Sequence, residues 1–250
     1  MVIEVAGVTA EICLRYAENE RHYEGYITDK PPVLTIAPTD ADIHHWQAIL
    51  DRKAERWGLP PEDHSEALAE EDAIHYAVCK ALIDRDVLPM HGSALCMDGE
   101  AYIFAAASCT GKSTHSRYWR EVYGDRVWMI SDDRPFLKFT ERGIMVCGNP
   151  WNDIRYPGRN ACAPLKAIVR LCRDSGNHIE PLSDADGYQM MLMRSWPPIM
   201  SRSSLNPARK AHVAALAERV VRAAAFYSLG CNMSPEAAVV AHDGMNAGKT

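Results

Sequence analysis

One short segment of the sequence has the residue types that bind phosphate. Residues 106–113 are Ala-Ala-Ser-Cys-Thr-Gly-Lys-Ser and fit the looser Walker A pattern, [A/G]-x-x-x-x-G-K-[S/T]. An apolar segment precedes it and a helical pattern follows it to about Tyr123, which is the strand–loop–helix context of a phosphate loop. Consecutive backbone N–H groups and a helix N-terminus attract anions. We therefore expect a nucleotide-binding loop formed by Ser108, Cys109, Thr110, Gly111, Lys112, Ser113 and Thr114.

Two side chains of this loop have chemistry of their own. Lys112 is expected to contact the β- and γ-phosphates of a nucleotide, and the Ser113 hydroxyl is expected to bind Mg²⁺. Ala106 replaces the first glycine of the stricter pattern, and Cys109 lies where many such loops have another. If position 109 needs a left-handed backbone, a residue other than glycine costs about 1–2 kcal/mol there. We expect a lower nucleotide affinity as a result.

Two neighbouring aspartates follow a short apolar segment downstream of the loop. Asp132 and Asp133 come directly after residues 127–131, which have the pattern of a buried strand. Carboxylates beside a phosphate loop are suited to hold Mg²⁺ and to accept the proton of an attacking hydroxyl. A turn-forming or capping role is the alternative. His91 is expected at the same end of the sheet, in contact with metal or phosphoryl group, with a structural role as its alternative.

The elements that position these residues follow from hydrophobic periodicity and turn residues. Ser93–Met97 and Ala101–Ala107 are predicted to form a hairpin around Asp98-Gly99. Further strands are predicted over 2–14, 23–36 and 166–172, and helices over 39–57, 65–85, 183–195, 206–227 and from 234. The predicted strands and helices of residues 1–86 indicate an N-terminal α+β lobe. This part of the chain contains no chemical motif. Residues 87–250 would then form a kinase-like core with C-terminal helices.

These motifs together resemble the HPr kinase/phosphorylase-like proteins over about residues 88–172. The segment 227–238 is similar to the end of the small bacterial Ser/Thr kinase-like subgroup. The resemblance implies a mixed α/β chain with the phosphoenolpyruvate-carboxykinase-like nucleotide-binding fold, a mixed sheet and a P-loop. It also implies that Asp132 is the general base and Asp133 the metal ligand, while His91 matches the histidine of the family. The two carboxylates would titrate as a coupled pair, so this division of roles is a preference.

The HPr kinases proper carry an additional N-terminal domain and a glycine-rich C-terminal signature that contains an arginine, and this chain has no convincing copy of that signature. The loop 148–160 offers Arg155 or Arg159 instead, because a guanidinium suits bidentate contact with phosphate. A solvated loop position is the alternative for each of them. Lys166 is a weaker candidate.

The sequence therefore predicts a kinase that uses ATP or GTP with Mg²⁺ and phosphorylates a hydroxyl. The expected acceptor is a Ser or Thr of a peptide or small protein, or a small hydroxylated molecule. Two other interpretations stay open. The first is a nucleotide-binding regulator or degenerate kinase. The second is a carboxykinase-like lyase, which is less favoured because the chain is short for such an enzyme and shows no obvious arginine-rich carboxylate site.

Composition and charge argue against nucleic-acid binding, a membrane-spanning segment and secretion. The chain has 27 basic and 33 acidic residues, a net charge of −6, with no basic stripe of the kind that binds nucleic acid. No apolar run approaches the ~18–20 residues that span a bilayer, and the N-terminal residues do not form a secretion signal. We expect a cytoplasmic protein whose eight scattered cysteines are reduced thiols. A homo-oligomer is possible on the resemblance alone.

Overall fold

The computed structural model describes residues 1–56, 58, 66–107, 110–152, 158–195 and 205–247. The chain divides into two compact units, Met1–Leu82 and Ile83–Thr250. All residues proposed for phosphate chemistry belong to the second unit.

The first unit combines a small sheet with two helices. Its strands, in sheet order, are β1 (Val2–Val5), β2 (Val8–Ile12) and β3 (Leu34–Ile36), and its helices are α1 (Asp40–Arg56) and α2 (Glu66–Ile83). Ala6 and Gly7 both have positive φ, which suits the two-residue turn between β1 and β2. The strand expected from residue 23 is wrong in its first part, because Ala17–Tyr26 forms a 3-10 helix that buries Tyr23 and Tyr26.

The second unit is built around a larger mixed sheet. Its strands are β4 (Val87–Pro89), β5 (Ser93–Met97), β6 (Glu100–Ala105), β7 (Val127–Ser131), β8 (Phe136–Thr140), β9 (Gly143–Cys147), β10 (Cys162–Arg173), β11 (His178–Pro181) and β12 (Ala225–Cys231). Its helices are α3 (Lys112–Tyr123), α4 (Asp184–Arg194), α5 (Pro207–Ala223) and α6 (Glu236–Asn246). Together they confirm the predicted mixed α/β class.

The direction of the strands decides where the site lies. The sheet order is β4-β8-β9-β10-β6-β5-β7, and β12 pairs with both β10 and β11. β10 runs parallel to β6 and β12, while β5 runs antiparallel to both β6 and β7. The carboxyl ends of β7, β6, β10 and β12 therefore lie at one edge of the sheet, together with the start of β5. We call this the carboxyl edge.

Helices cover both faces of the sheet. α4 and α5 contribute Met191 and Leu216 to a core that includes Ile103 and Ile168. α3 and α6 contribute to a second core on the other face, where Trp119 is fully buried. In the described part of the chain, no helix is both long enough and apolar enough to cross a membrane.

Two sequence-based predictions for this unit are corrected by its pairing. The helix expected over 206–227 ends at Ala223, and the next residues form β12, because Phe226 and Leu229 are buried beside β10. The cysteines were expected to be reduced thiols, but Cys147 and Cys162 form a disulfide. The antiparallel pairing of β9 with β10 places these two residues opposite each other, a relationship that their spacing in the sequence does not reveal.

Candidate active site

The carboxyl edge brings together most of the residues selected from the sequence. β6 leads through Ala106 into the predicted phosphate loop, and α3 begins at Lys112. β7 ends at Ser131, directly before Asp132 and Asp133. His91 lies just before β5, the strand between them. Ser108, Cys109 and Arg155 lie outside the described residues, so the loop is described only from Thr110 onward.

The N-terminus of α3 has the geometry of an anion site. Gly111 is its N-cap residue with φ of 113°, a left-handed conformation that favours glycine. Gly111 has no side chain with which to cap the helix, and a β-carbon there would meet nothing within 4 Å. Thr110, Lys112, Ser113 and Thr114 flank this open end, each partly exposed. The helix dipole favours a negative group there.

Asp132 is connected directly to the first turn of α3. The Ser113 hydroxyl donates a hydrogen bond of 2.9 Å to Asp132 Oδ2, and Ser93 Oγ donates one of 3.3 Å to Oδ1. Ser93 Oγ also lies 2.7 Å from Ser116 Oγ, within α3. Asp132 is only 8% exposed. These bonds fix the carboxylate opposite the helix N-terminus.

Asp133 faces a different set of partners. His91 Nε2 lies 3.5 Å from Asp133 Oδ1, and Arg134 Nε lies 3.2 Å from Oδ2. Oδ1 is buried and accepts no hydrogen bond from the described residues. Burial lowers the pKa of His91, and the positive charges of Lys112, Arg134 and Arg194 lower it further, against the opposing effect of Asp133. The net effect favours the uncharged imidazole.

Two asparagines that the sequence analysis missed hold this aspartate pair in place. Asn149 is fully buried, and its Nδ2 donates to the carbonyl oxygens of Asp133 and Arg134 at 2.9 and 3.0 Å. Asn152 Oδ1 accepts from the backbone N–H of Asp132 at 2.9 Å. Both belong to the loop 148–160, which drew attention for its arginines. Asparagines among proline and glycine residues predict turns. The sequence around Asn149 and Asn152 therefore did not indicate that their side chains bond to the backbone of the aspartate pair.

The structure does not bring the other cationic candidates to the edge. The Arg159 guanidinium lies over the ring of Trp128, 5.3 Å from its centroid, near the start of β7 rather than its end. Lys166 Nζ pairs with Glu100 Oε1 at 3.0 Å, at the amino end of β6. Within the described chain, no group of three or more His, Cys, Asp and Glu could hold a metal on its own.

Two cavities flank the phosphate loop. The first lies along one face of α3, between the side chains of Tyr118, Leu171 and Met233. The second is a groove that shares Thr110, Leu171 and Arg173 with the first. It contains three arginines that were not selected from the sequence, Arg170, Arg173 and Arg194. Arg170 and Arg173 were hidden in a segment that otherwise has the pattern of a buried strand.

Comparison with known proteins adds little to this description. No protein-family model matches the chain, and no curated protein is similar to it in sequence. Among solved structures, the HPr(Ser) kinase/phosphatase from Coxiella burnetii is similar over 38% of this chain and 70% of that chain, with 12% identity and a TM-score of 0.29. Since this TM-score is too low to indicate a common fold, we base no conclusion on the match.

Proposed function

We propose that this chain is a kinase that transfers the γ-phosphoryl group of a nucleotide, ATP or GTP, to a hydroxyl with the help of Mg²⁺. The observation that carries the proposal is the hydrogen bond from Ser113 to Asp132. It joins a helix N-terminus suited to phosphate with a carboxylate suited to a metal. The expected acceptor is a Ser or Thr of a peptide or small protein, and the proposed location is the cytoplasm.

The first turn of α3 provides the phosphate site in this proposal. Gly111, Ser113 and Thr114 offer backbone N–H groups in the first turn of the helix. Lys112 adds a positive charge at the same end and is close enough to His91 to lower its pKa. Ser108 and Cys109 would extend the cradle. The nucleoside is assigned to the cavity along α3, where Tyr118 and Leu171 offer apolar contacts to a base.

The division of roles between the aspartates follows from their neighbours. Mg²⁺ takes oxygen ligands and keeps several waters, with one or two carboxylates and the phosphates of the substrate. Ser113 Oγ and Asp132 Oδ2 are two such oxygens, 2.9 Å apart. This supports Ser113 with Asp132 as metal ligands, the opposite of the preference for Asp133 from the resemblance. When bound, the ion would neutralise charge on the phosphates.

Asp133 is then the better candidate for the general base. Its side chain is 34% exposed, and its Oδ1 accepts no hydrogen bond from the described residues, so the carboxylate can take the proton of the acceptor hydroxyl. In the proposed step, the hydroxyl oxygen forms a bond to the γ-phosphorus. The bond between that phosphorus and the β,γ-bridging oxygen breaks, and the nucleoside diphosphate leaves with the bridging oxygen. His91, whose Nε2 lies 3.5 Å from Asp133 Oδ1, orients this carboxylate.

The arrangement of the strands supports a fold of the phosphoenolpyruvate-carboxykinase-like type. β6, which leads into the loop, pairs antiparallel with β5 on one side and parallel with β10 on the other. A purely parallel sheet would not place a tight hairpin directly before the loop. We include membership of the HPr kinase/phosphorylase-like group in the proposal on this ground. We also predict that the protein binds neither nucleic acid nor membranes and that it forms a homo-oligomer.

The decisive experiment measures nucleotide binding and phosphoryl transfer side by side. Calorimetry should detect uptake of Mg-ATP or Mg-GTP, and incubation with candidate hydroxyl-bearing peptides should add one phosphate that mass spectrometry detects. Lys112→Ala should lose both, whereas Lys53→Ala, an exposed lysine of α1, should lose neither. Binding without transfer to any acceptor would favour the regulator, and no binding of either nucleotide would overturn the proposal.

A further inference from the structure

The groove beside the phosphate loop concentrates positive charge in a protein whose net charge is −6. Its lining contains Arg170 and Arg173 from the end of β10 and Arg194 from the end of α4. The other lining residues are uncharged, among them Ala106, next to the loop. Among the described lining residues there is no carboxylate.

Arg170 has a donor group that no part of the described protein uses. Its Nη2 lies 3.4 Å from Ser228 Oγ, but its Nε is buried and has no hydrogen-bond acceptor among the described residues. A buried donor without a partner costs free energy, so in a native protein it calls for an explanation such as a bound water, an ion or a functional role. Arg170 lies opposite Ala105 in the pairing of β10 with β6. Arg170 also lines the groove together with Ala106 and Ala107, at the start of the phosphate loop.

Arg194 connects the groove to the aspartate pair. Its side chain is half-buried, and burial lowers the pKa of its guanidinium. The described residues place no carboxylate within ion-pair distance of it. The backbone N–H of His91 donates to the Arg194 carbonyl oxygen at 2.6 Å, and His91 contacts Asp133. A molecule in the groove would therefore reach towards the proposed general base.

We propose that this groove binds an oxyanionic group of the phosphoryl acceptor, so that the acceptor is an anionic molecule and not a neutral one. The inference rests on the proposed kinase function. A guanidinium matches the geometry of phosphate and carboxylate oxygens with paired N–H donors. With its anion between Arg170 and Arg194, an acceptor would present its hydroxyl near Asp133, while the nucleotide occupies the first turn of α3.

The test separates an acceptor site from the nucleotide site. Inorganic phosphate and acetate are each titrated into protein saturated with Mg²⁺ and the non-hydrolysable β,γ-imido analogue of ATP. We expect at least one of them to bind to the loaded protein, and the one that binds identifies phosphate or carboxylate as the anion of the acceptor. Arg170→Gln and Arg194→Gln should each weaken this binding about tenfold or more while the affinity for the analogue stays within about twofold, since one charge-assisted contact is lost.

Arg222→Gln is the matched control, because Arg222 is an exposed arginine of α5 that pairs with Glu218, and it should bind the anion as the wild type does. Arg170→Lys keeps the charge and checks that any loss is not a folding defect. If neither anion binds the loaded protein, if the analogue displaces the anion, or if both glutamine variants lose the analogue equally, the acceptor site is overturned. If the analogue itself does not bind, the kinase proposal is overturned, and the acceptor role with it. If the analogue binds and the anion does not, only the acceptor site is overturned.

Discussion

The hydroxyl of Ser113 donates a 2.9 Å hydrogen bond to Asp132 Oδ2, and so joins the first turn of α3 to the end of β7. Asp133, the next residue, instead faces His91 and Arg134. The two adjacent carboxylates therefore have separate partners, and each can be tested by itself.

Asp132→Asn should remove the effect of magnesium on nucleotide binding. If Asp132 is the metal ligand beside Ser113, its loss should reduce the gain in ATP affinity that Mg²⁺ provides by about tenfold, equivalent to about 1.4 kcal/mol. Calorimetric titrations of ATP with Mg²⁺ and with a chelator measure this gain. Asp125→Asn, at an exposed position after α3, is the control. A loss of the magnesium effect in Asp133→Asn but not in Asp132→Asn would reverse the assignment.

Asp133→Asn should affect transfer far more than binding. Removal of a general base commonly lowers the rate by about 10²–10⁴-fold, while Asp133 makes no contact with Ser113 that would alter the metal. Single-turnover measurements of phosphoryl transfer, next to a binding titration of Mg-ATP, separate the two effects. A variant that transfers at the wild-type rate would exclude Asp133 as the base.

Lowering the pH should destabilise the second unit through a buried histidine of α3. Burial lowers the pKa of His115 to about 3 in the folded chain, whereas an unfolded histidine titrates near 6.5. Between these values the unfolded chain binds one proton more, so the free energy of unfolding falls as the pH falls, by up to about 1.4 kcal/mol per pH unit.

Urea unfolding at several pH values from 7.5 down to 5, followed by tryptophan fluorescence, measures this slope. His115→Gln should flatten it, and it should also lose stability because Trp119 Nε1 donates to His115 Nε2 at 3.0 Å. His178→Gln, at an exposed position of β11, should retain the slope. An identical slope in wild type and His115→Gln would show that other groups cause it.

Asn149→Ala should impair both stability and transfer. The side chain is buried and satisfies the carbonyl oxygens of Asp133 and Arg134, so its removal leaves buried acceptors unsatisfied at a cost of about 1–3 kcal/mol. Arg134 has φ of 57°, and this turn depends on the same bonds. Thermal unfolding should show the loss, and kcat should fall more than nucleotide affinity. The exposed Asn160→Ala should change neither quantity.

Loss of the disulfide should destabilise the second unit. Cys147 and Cys162 are 15 residues apart, and closing a loop of that length stabilises a protein by about 3 kcal/mol. Cys147→Ser should lower the free energy of unfolding by about this amount, and a reducing agent should do the same to the wild type but not to the variant. Cys13→Ser, at an exposed free cysteine, is the control. A wild type insensitive to reductant would argue against the bond.

Local signals predicted much of this fold. Asp98 and Gly99 both have positive φ in the hairpin turn, as their types indicate. Ser183 accepts a hydrogen bond from the Asp186 N–H at the start of α4, and Gly124 ends α3. Each of these features depends on a few neighbouring residues, whose intrinsic preferences the rest of the structure does not oppose.

What the sequence did not predict depends on long-range pairing. The first residues of β12, 225–227, were expected at the end of a helix, and the pairing of Phe226 with Ile168 of β10 explains why they form a strand. The same holds for the site: Ser113 and Asp132 were selected from local motifs, whereas Asn149 and Arg194 reach the edge through folding of distant segments. A turn asparagine and a helix-terminal arginine are too common to single out without that knowledge.

The carboxyl edge also separates charge along its length. Asp132 and Asp133 follow β7 at one end of the order β7-β5-β6-β10, and Arg170 and Arg173 are at the end of β10. The phosphate loop lies between these opposite charges. The electric field of these charged side chains acts over several ångströms, before any contact forms. A zwitterionic ligand that approaches this edge would therefore be oriented before it binds, with its positive end towards β7 and its negative end towards β10.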